Sequence, residues 1–175
     1  MKIAVPKEIK NNENRCGLVP SGVRQLVEDG HELFVQKDAG VGIGIEDQEF
    51  IDAGATIVPT LEAAFEAGEM IIKVKEPQPV EIALLRPHHI LYTYLHLSAD
   101  KELTEGLMKS GSTCIAYETI QYPDGSLPLL VPMSEVAGRM ATQVGAMCLQ
   151  KDKGGKGKLL GGVPGVHRAK VTVIG

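Results

Sequence analysis

Residues 20–36, PSGVRQLVEDGHELFVQ, decide the fold. Val23, Leu26 and Val27 recur at helical spacing and share one face, and Ser21 is the expected N-cap. Gly30 supplies the C-terminal stop. HELFVQ then reads as a strand. A helix that ends on glycine and runs at once into a short apolar strand is the repeating step of a parallel sheet, because parallel neighbours need a crossover between them. Working outward, the step recurs. KIAV (2–5) is a strand. DQEFIDAG and ATIV repeat the move, as do TLEAAFEAG and EMIIKVK, with Thr60 as N-cap. PVEIALL and HHILYTYL follow, and DKELTEGLMKSG leads into STCIAYE, with Asp100 as N-cap. No fixed-period repeat underlies the rhythm. The expected class is α/β: a Rossmann-like (flavodoxin-like), doubly wound, mostly parallel sheet with helices on both faces.

The character changes after ETIQYPDGSLPLL. Pro123-Asp124-Gly125 is a turn signal. Pro132 then opens a periodic stretch in which Val136, Met140, Val144, Met147 and Cys148 trace one apolar stripe, a long connecting helix from about Met133 to Gln150. Ala137, Gly138, Ala141, Gly145 and Ala146 lie between them and permit close approach. A stripe of Val and Met left in water would be an association site. DKGGKGKLLGGVPGVHRAK, rich in Gly and Lys, reads as a mobile connection. Lys170-Val171-Thr172-Val173-Ile174 reads as a buried parallel strand, with Gly175 opening a turn. The expected organisation is an α/β domain over 1–127, a connecting helix over 128–152, and the start of a nucleotide-binding unit over 153–175.

Composition narrows the function classes. The 175 residues carry a net charge of −4, which argues against a nucleic-acid partner. Aromatics are 4% and Trp is absent, so base-stacking platforms are not expected. No apolar run reaches membrane-spanning length, and MKIAVPKEIK has no signal-peptide core, so a cytoplasmic protein is expected. The 3 cysteines are widely spaced, without C-x-x-C, which fits reduced thiols and no metal site. Cys114 and Cys148 read as small core residues. Cys16, beside Arg15, reads as structural before reactive.

Candidate chemistry sits where strands end. In a doubly wound sheet, ligands bind outside the carboxyl ends of the strands. Lys75 lies there, just before EPQP, and suits a carboxylate or a carbonyl oxygen; strand alternation puts Lys73 on its side. His96 ends the next strand and suits proton transfer near neutral pH. Arg15, in the loop after the first strand, offers a planar fork for a carboxylate. Glu118 ends a further strand and would orient a cation or cap a turn. His88 and His89 lie at the opposite end and read as surface residues. AGVGIGIED lacks G-x-G-x-x-G spacing, and GGKGKLLGGVPG is no P-loop. Together these residues suggest capture of a small carboxylic acid.

PKEIKNNENRCGLVPSGVRQLVEDGHELFVQKDAGVGIG, IIKVKEPQPVEIALLRP, LYTYLHLSAD, IAYETIQ, LPLLVPMSEVAGRMATQVGA and GGVPGVHRAKVTVIG closely resemble the N-terminal half of L-alanine dehydrogenase, collinearly over essentially the whole chain. The related transhydrogenase alpha subunits share less, generally without YLHL. The resemblance implies NAD-dependent oxidative deamination of L-alanine to pyruvate and ammonia. It implies Arg15, Lys75 and His96 as substrate-binding residues, with Lys75 and His96 catalytic. It further implies Glu118 in support and Ser134, at the N-terminus of the long helix, as a cofactor contact, where a helix N-terminus favours anions. Homo-oligomers are implied, hexamers in full-length members, with no nucleic acid, membrane or metal. The G-x-G-x-x-G loop, a ribose-binding acid and a catalytic Asp would follow Gly175. The expectation is a shortened chain, inactive alone without its NAD-binding domain. Two alternatives remain: a non-catalytic pyruvate- or amino-acid-binding or oligomerising module, and a transhydrogenase alpha fragment.

Overall fold

Strand β1 (Lys2–Val5) hydrogen-bonds on one side to β2 (Glu32–Gln36) and on the other to β4 (Met70–Ile72). This makes β1 the centre of a six-stranded parallel sheet in a computed structural model that describes residues 1–174. Beyond β2 lies β3 (Thr56–Val58). Beyond β4 lie β5 (Ile90–Thr93) and β6 (Thr113–Ala116), giving the order β3-β2-β1-β4-β5-β6. This is the Rossmann order, not the flavodoxin-like one, and its winding reverses between β1 and β4.

Alternation along each strand fills two cores. Ile3, Val5, Leu33, Val35 and Ile72 point to one face and pack with Val23 of α1 (Pro20–Glu28) and Phe50 of α2 (Asp47–Asp52). Ala4, Ile71 and Leu91 point to the other and pack with Phe65 of α3 (Leu61–Ala67) and Leu103 and Leu107 of α5 (Lys101–Ser110). Between β4 and β5 stands a single turn of helix, α4 (Pro79–Ile82). The strands are short, three to five residues, because both faces are covered and little length is needed to bury them.

The caps divide. Thr60 accepts from the Ala63 N–H and Asp100 from the Leu103 N–H, as their spacing predicts. Ser21 does not cap α1. Val19 takes that position in extended conformation (φ −104°, ψ 163°) without a side-chain cap. Proline forces the preceding residue out of the helical region, so the helix starts at Pro20. Gly30 adopts φ +86° just past α1, as a C-terminal stop requires.

The described residues from Ile120 onward form a second unit. Its main element is α6 (Val131–Cys148), which buries none of its residues within the chain; Val136, Met140, Val144 and Met147 stay 42–51% exposed. Two expectations fail here. Cys148 is exposed and not a core residue. Residues 170–174 form no strand and lie mostly exposed, since no neighbouring strand is present to pair with their backbone. The turn expected at Gly175 lies outside the described residues. A third failure is in the first unit. His88 is exposed, but His89 is 2% exposed, its Nδ1 accepting from the Arg86 N–H.

One ion cluster joins the loop after β1 to the loop after β4. Lys73 is fully buried, 3.0 Å from Glu8 Oε2 and 2.7 Å from Glu81 Oε1. Glu8 Oε1 accepts from the Val74 N–H at 2.6 Å, and Glu81 Oε2 from the Gln78 N–H at 2.7 Å. Burial pushes the Glu81 carboxyl up, against the pull of Lys73. Lys73→Met leaves two buried carboxylates without their cation, and we expect it to cost about 3–5 kcal/mol. A urea midpoint unchanged from wild type would show that the cluster does not hold the loops.

Candidate functional site

The crevice at the winding reversal is built from three loops. The first follows β1 and carries Glu13 and Arg15. It crosses the end of β4 so closely that a Cβ on Gly17 would lie 2.7 Å from the Ile72 carbonyl oxygen. The second follows β4 and carries Lys75 and Glu76. The third follows β5 and carries Tyr94 and His96. Backbone bonds continue past the strand ends, with the Lys73 N–H donating to the Tyr92 carbonyl and the Tyr94 N–H to the Val74 carbonyl. Thr93 Oγ1 also donates to the Lys75 carbonyl at 2.9 Å. Loop positions are thus set by the sheet and by the Lys73 cluster beneath it.

Arg15 is engaged by Glu13. Its Nε donates to Glu13 Oε1 at 2.9 Å and its Nη2 to Oε2 at 2.6 Å, a bidentate pair. The Arg15 bonds, helped by the nearby Lys75 charge, hold the Glu13 carboxyl down at about 2. Lys75 Nζ itself has no hydrogen-bond or ion-pair partner among the described residues, although its charge reaches both Glu13 and Glu76. Burial pushes Glu76 up, but the bond to Lys10 and the charges of Lys10 and Lys75 outweigh it and hold Glu76 below the usual carboxylate range.

His96 sits in the left-handed region (φ 51°, ψ 37°), which a non-glycine residue adopts only when its surroundings enforce it. Glu118 does so. Its Oε1 accepts from the His96 N–H at 2.7 Å, and both its oxygens accept from the Leu95 N–H at 3.1 and 3.2 Å. The carboxylate therefore acts on the backbone of the His96 loop. The imidazole is half exposed, with Nδ1 3.5 Å from Glu76 Oε2 and its ring stacked on Tyr94 at 6.1 Å. Tyr117 packs edge-on to both Tyr92 and Tyr94. Burial pushes the Tyr117 hydroxyl up, so these rings form a neutral wall.

Arg15 and Lys75 thus converge on Glu13, and Lys75 and His96 on Glu76. Ser134 lies in the second unit, near the start of α6, with its side chain exposed. The first turn of that helix is not an open anion nest. The N–H groups of Val131, Met133 and Ser134 donate to Leu127 and Leu130 carbonyls, and Pro132 has none. The Ser134 hydroxyl is the group left to offer a ligand. Glu8 and Glu81, and the partners Glu13, Glu76 and Tyr94, escaped the reading by motif. A lysine inside the apolar run MIIKV was the available signal, since a buried charge demands a partner. Cys16 is partly buried and burial pushes its thiol up, which opposes reactivity. A cavity of about 410 Å³, bordered by Lys10, Glu76, Gln78 and Asp100, includes none of Arg15, Lys75 or His96. Lys10 there is spent on Glu76 Oε1 and Asp100 on the Leu103 N–H, so convergent loops mark the site better than volume does.

The family model for the N-terminal domain of alanine dehydrogenase/PNT matches residues 4–137, and that for the C-terminal domain matches residues 141–175. An alanine dehydrogenase of Halomonas elongata is 58% identical over 175 residues, and one of Bacillus subtilis 55%. Both alignments cover all of this chain, but 47% and 46% of the relatives, so the chain spans about half the length of the curated relatives it matches. A solved L-alanine dehydrogenase superposes with a TM-score of 0.85 at 55% identity, over 96% of this chain and 46% of that one. A transhydrogenase from Sinorhizobium meliloti gives 0.64 at 27% identity, over 67% of this chain and 34% of that one.

Two outcomes follow from the geometry. Because Glu13 is held at about 2 against an ordinary 4.5, its pairing stabilises the folded chain above pH 4.5 and is lost as pH falls toward 2. Glu13→Gln should therefore flatten the acid limb of a stability-against-pH curve in that window; an unaltered limb would contradict the pairing. Glu118→Ala removes charge-assisted bonds from a left-handed turn and should cost about 1.5–3 kcal/mol in chemical denaturation.

Proposed function

We propose, from the premise that this chain belongs to the alanine dehydrogenase/PNT family, that its crevice captures pyruvate and L-alanine. The whole enzyme would then interconvert them by NAD-dependent oxidative deamination. The observation that carries this reading is the Lys75 ammonium. Among the described residues it has no ion-pair partner, and its charge reaches both Glu13, which grips Arg15, and Glu76, which lies beside His96, at the winding reversal of a Rossmann-ordered sheet. A small 2-oxo acid presents a carboxylate and a carbonyl oxygen, and two neighbouring cations match them. Arg15 takes the carboxylate in its planar fork. Lys75 faces the carbonyl oxygen and holds the charge that gathers there. His96 carries the proton that the oxygen or nitrogen of the substrate gains or loses. Glu118 holds the His96 backbone in place.

Over the described residues, the groups that would meet NAD amount to the Ser134 hydroxyl, not a pyrophosphate cradle. NAD, when bound, accepts or returns a hydride at the substrate carbon; no step through it is built from these residues. In this reading, residues 1–127 are the substrate domain, 128–152 the connecting helix and 153–175 part of the nucleotide domain. The protein works in the cytoplasm, which suits its unpaired cysteines, and assembles with copies of itself through the apolar face of α6. No helix among the described residues is long and apolar enough to cross a membrane. The transhydrogenase reading is less supported, at 27% identity against 55% for the solved alanine dehydrogenase.

Titration calorimetry of the 175-residue chain with pyruvate tests the reading. Arg15→Ala and Lys75→Ala should each weaken binding about tenfold or more, since a hydrogen bond to a charged group carries about 1.5–3 kcal/mol. Wild-type affinity in both variants would refute it.

A further inference from the structure

Glu76 carries an unmet demand. Its Oε1 pairs with Lys10, but its Oε2 is buried and has no hydrogen-bond partner among the described residues. His96 Nδ1 lies 3.5 Å from that oxygen. A buried carboxylate oxygen asks for a donor, and an imidazole nitrogen can donate only when it carries the proton. His96 makes two further contacts. Its backbone N–H is held by Glu118 and its ring lies at 26° to Tyr94.

We propose that Glu76 is the positioning residue for His96. It fixes the neutral ring as the Nδ1–H tautomer and so leaves the Nε2 lone pair for the ligand. The proposal rests on the reading of His96 as the proton-transfer group. A carboxylate behind an imidazole sets which nitrogen bears the proton, because the charge-assisted N–H···O bond forms in one tautomer only. Lys10 completes the device. By occupying Oε1 it keeps Glu76 ionised and directs Oε2 at the ring. Thus Lys10, Glu76 and His96 form a relay of orientation from the loop after β1 to the loop after β5. None of the three needs to touch the reacting atoms except His96.

The test is ring ¹⁵N–¹H correlation spectroscopy of the ¹⁵N-labelled chain, at a pH where imidazoles are neutral. The His96 signals are assigned by their loss in His96→Gln. In wild type, Nδ1 should be the protonated nitrogen. In Glu76→Ala the ratio should move about tenfold toward Nε2–H, the factor that one charge-assisted hydrogen bond carries. Glu76→Gln is nearly isosteric and retains an amide oxygen as acceptor. It should keep more of the Nδ1–H form than the alanine variant does, which separates orientation from loss of folding. A wild-type ring protonated at Nε2, or equal ratios in wild type and a folded Glu76→Ala, overturns the proposal. No ligand enters this measurement. Its failure therefore leaves the pyruvate titrations standing, and failure of those titrations leaves the tautomer standing.

Discussion

The Lys73 ion cluster sets the rest of the site in place. A lysine with no exposed surface would be prohibitive alone, and here two carboxylates from different loops compensate it. Such a cluster is poor evidence of extra stability, since well-packed apolar residues can do as well. What it supplies is register. Glu8 accepts from the backbone of Val74 and Lys75 while it binds Lys73, so the loop after β1 cannot slide relative to the loop after β4 without breaking several bonds at once. Arg15 hangs from the first loop, and Lys75 and Glu76 from the second.

Much of the fold was legible in the chain, for a physical reason. Glycine stops, capping residues at Thr60 and Asp100, and runs such as ELFVQ and ILYT are local signals, and local signals survive in a one-dimensional reading. The Ser21 cap failed because Pro20 outranked it: a ring clash with the preceding residue fixes the helix start more firmly than a hydroxyl does. His89 was misplaced because its burial depends on Phe65 and on the Arg86 turn. The terminal β-branched run misled because a strand is a relation between two segments, and apolar composition describes only one of them.

The site was legible at its cations and not at its anions. Arg15, Lys75 and His96 fall at strand ends, where topology gives a residue meaning. Glu13, Glu76 and Glu8 belong to loop stretches crowded with charge, in which each carboxylate looks solvated. Their partners come from 2 residues away for Glu13 and from 66 and 65 residues away for Glu76 and Glu8, respectively. Glu118 read either as orienting a cation or as capping a turn, and its oxygens accept from the main chain at Leu95 and His96. That use follows from the left-handed turn at His96, which no pattern of side chains announces.

The bidentate grip of Glu13 on Arg15 has a bearing on what it means for the crevice to take up an acid. The guanidinium does not wait bare in water. An incoming carboxylate that claims it evicts a resident of the same charge and shape, so the exchange swaps like for like. The free energy gained is what the ligand's contact adds beyond that of Glu13, and part of the selectivity passes to whatever Glu13 finds after it lets go. Under the proposed reading of the crevice, a loop carrying its own imitation of the ligand trades tight capture for easy release.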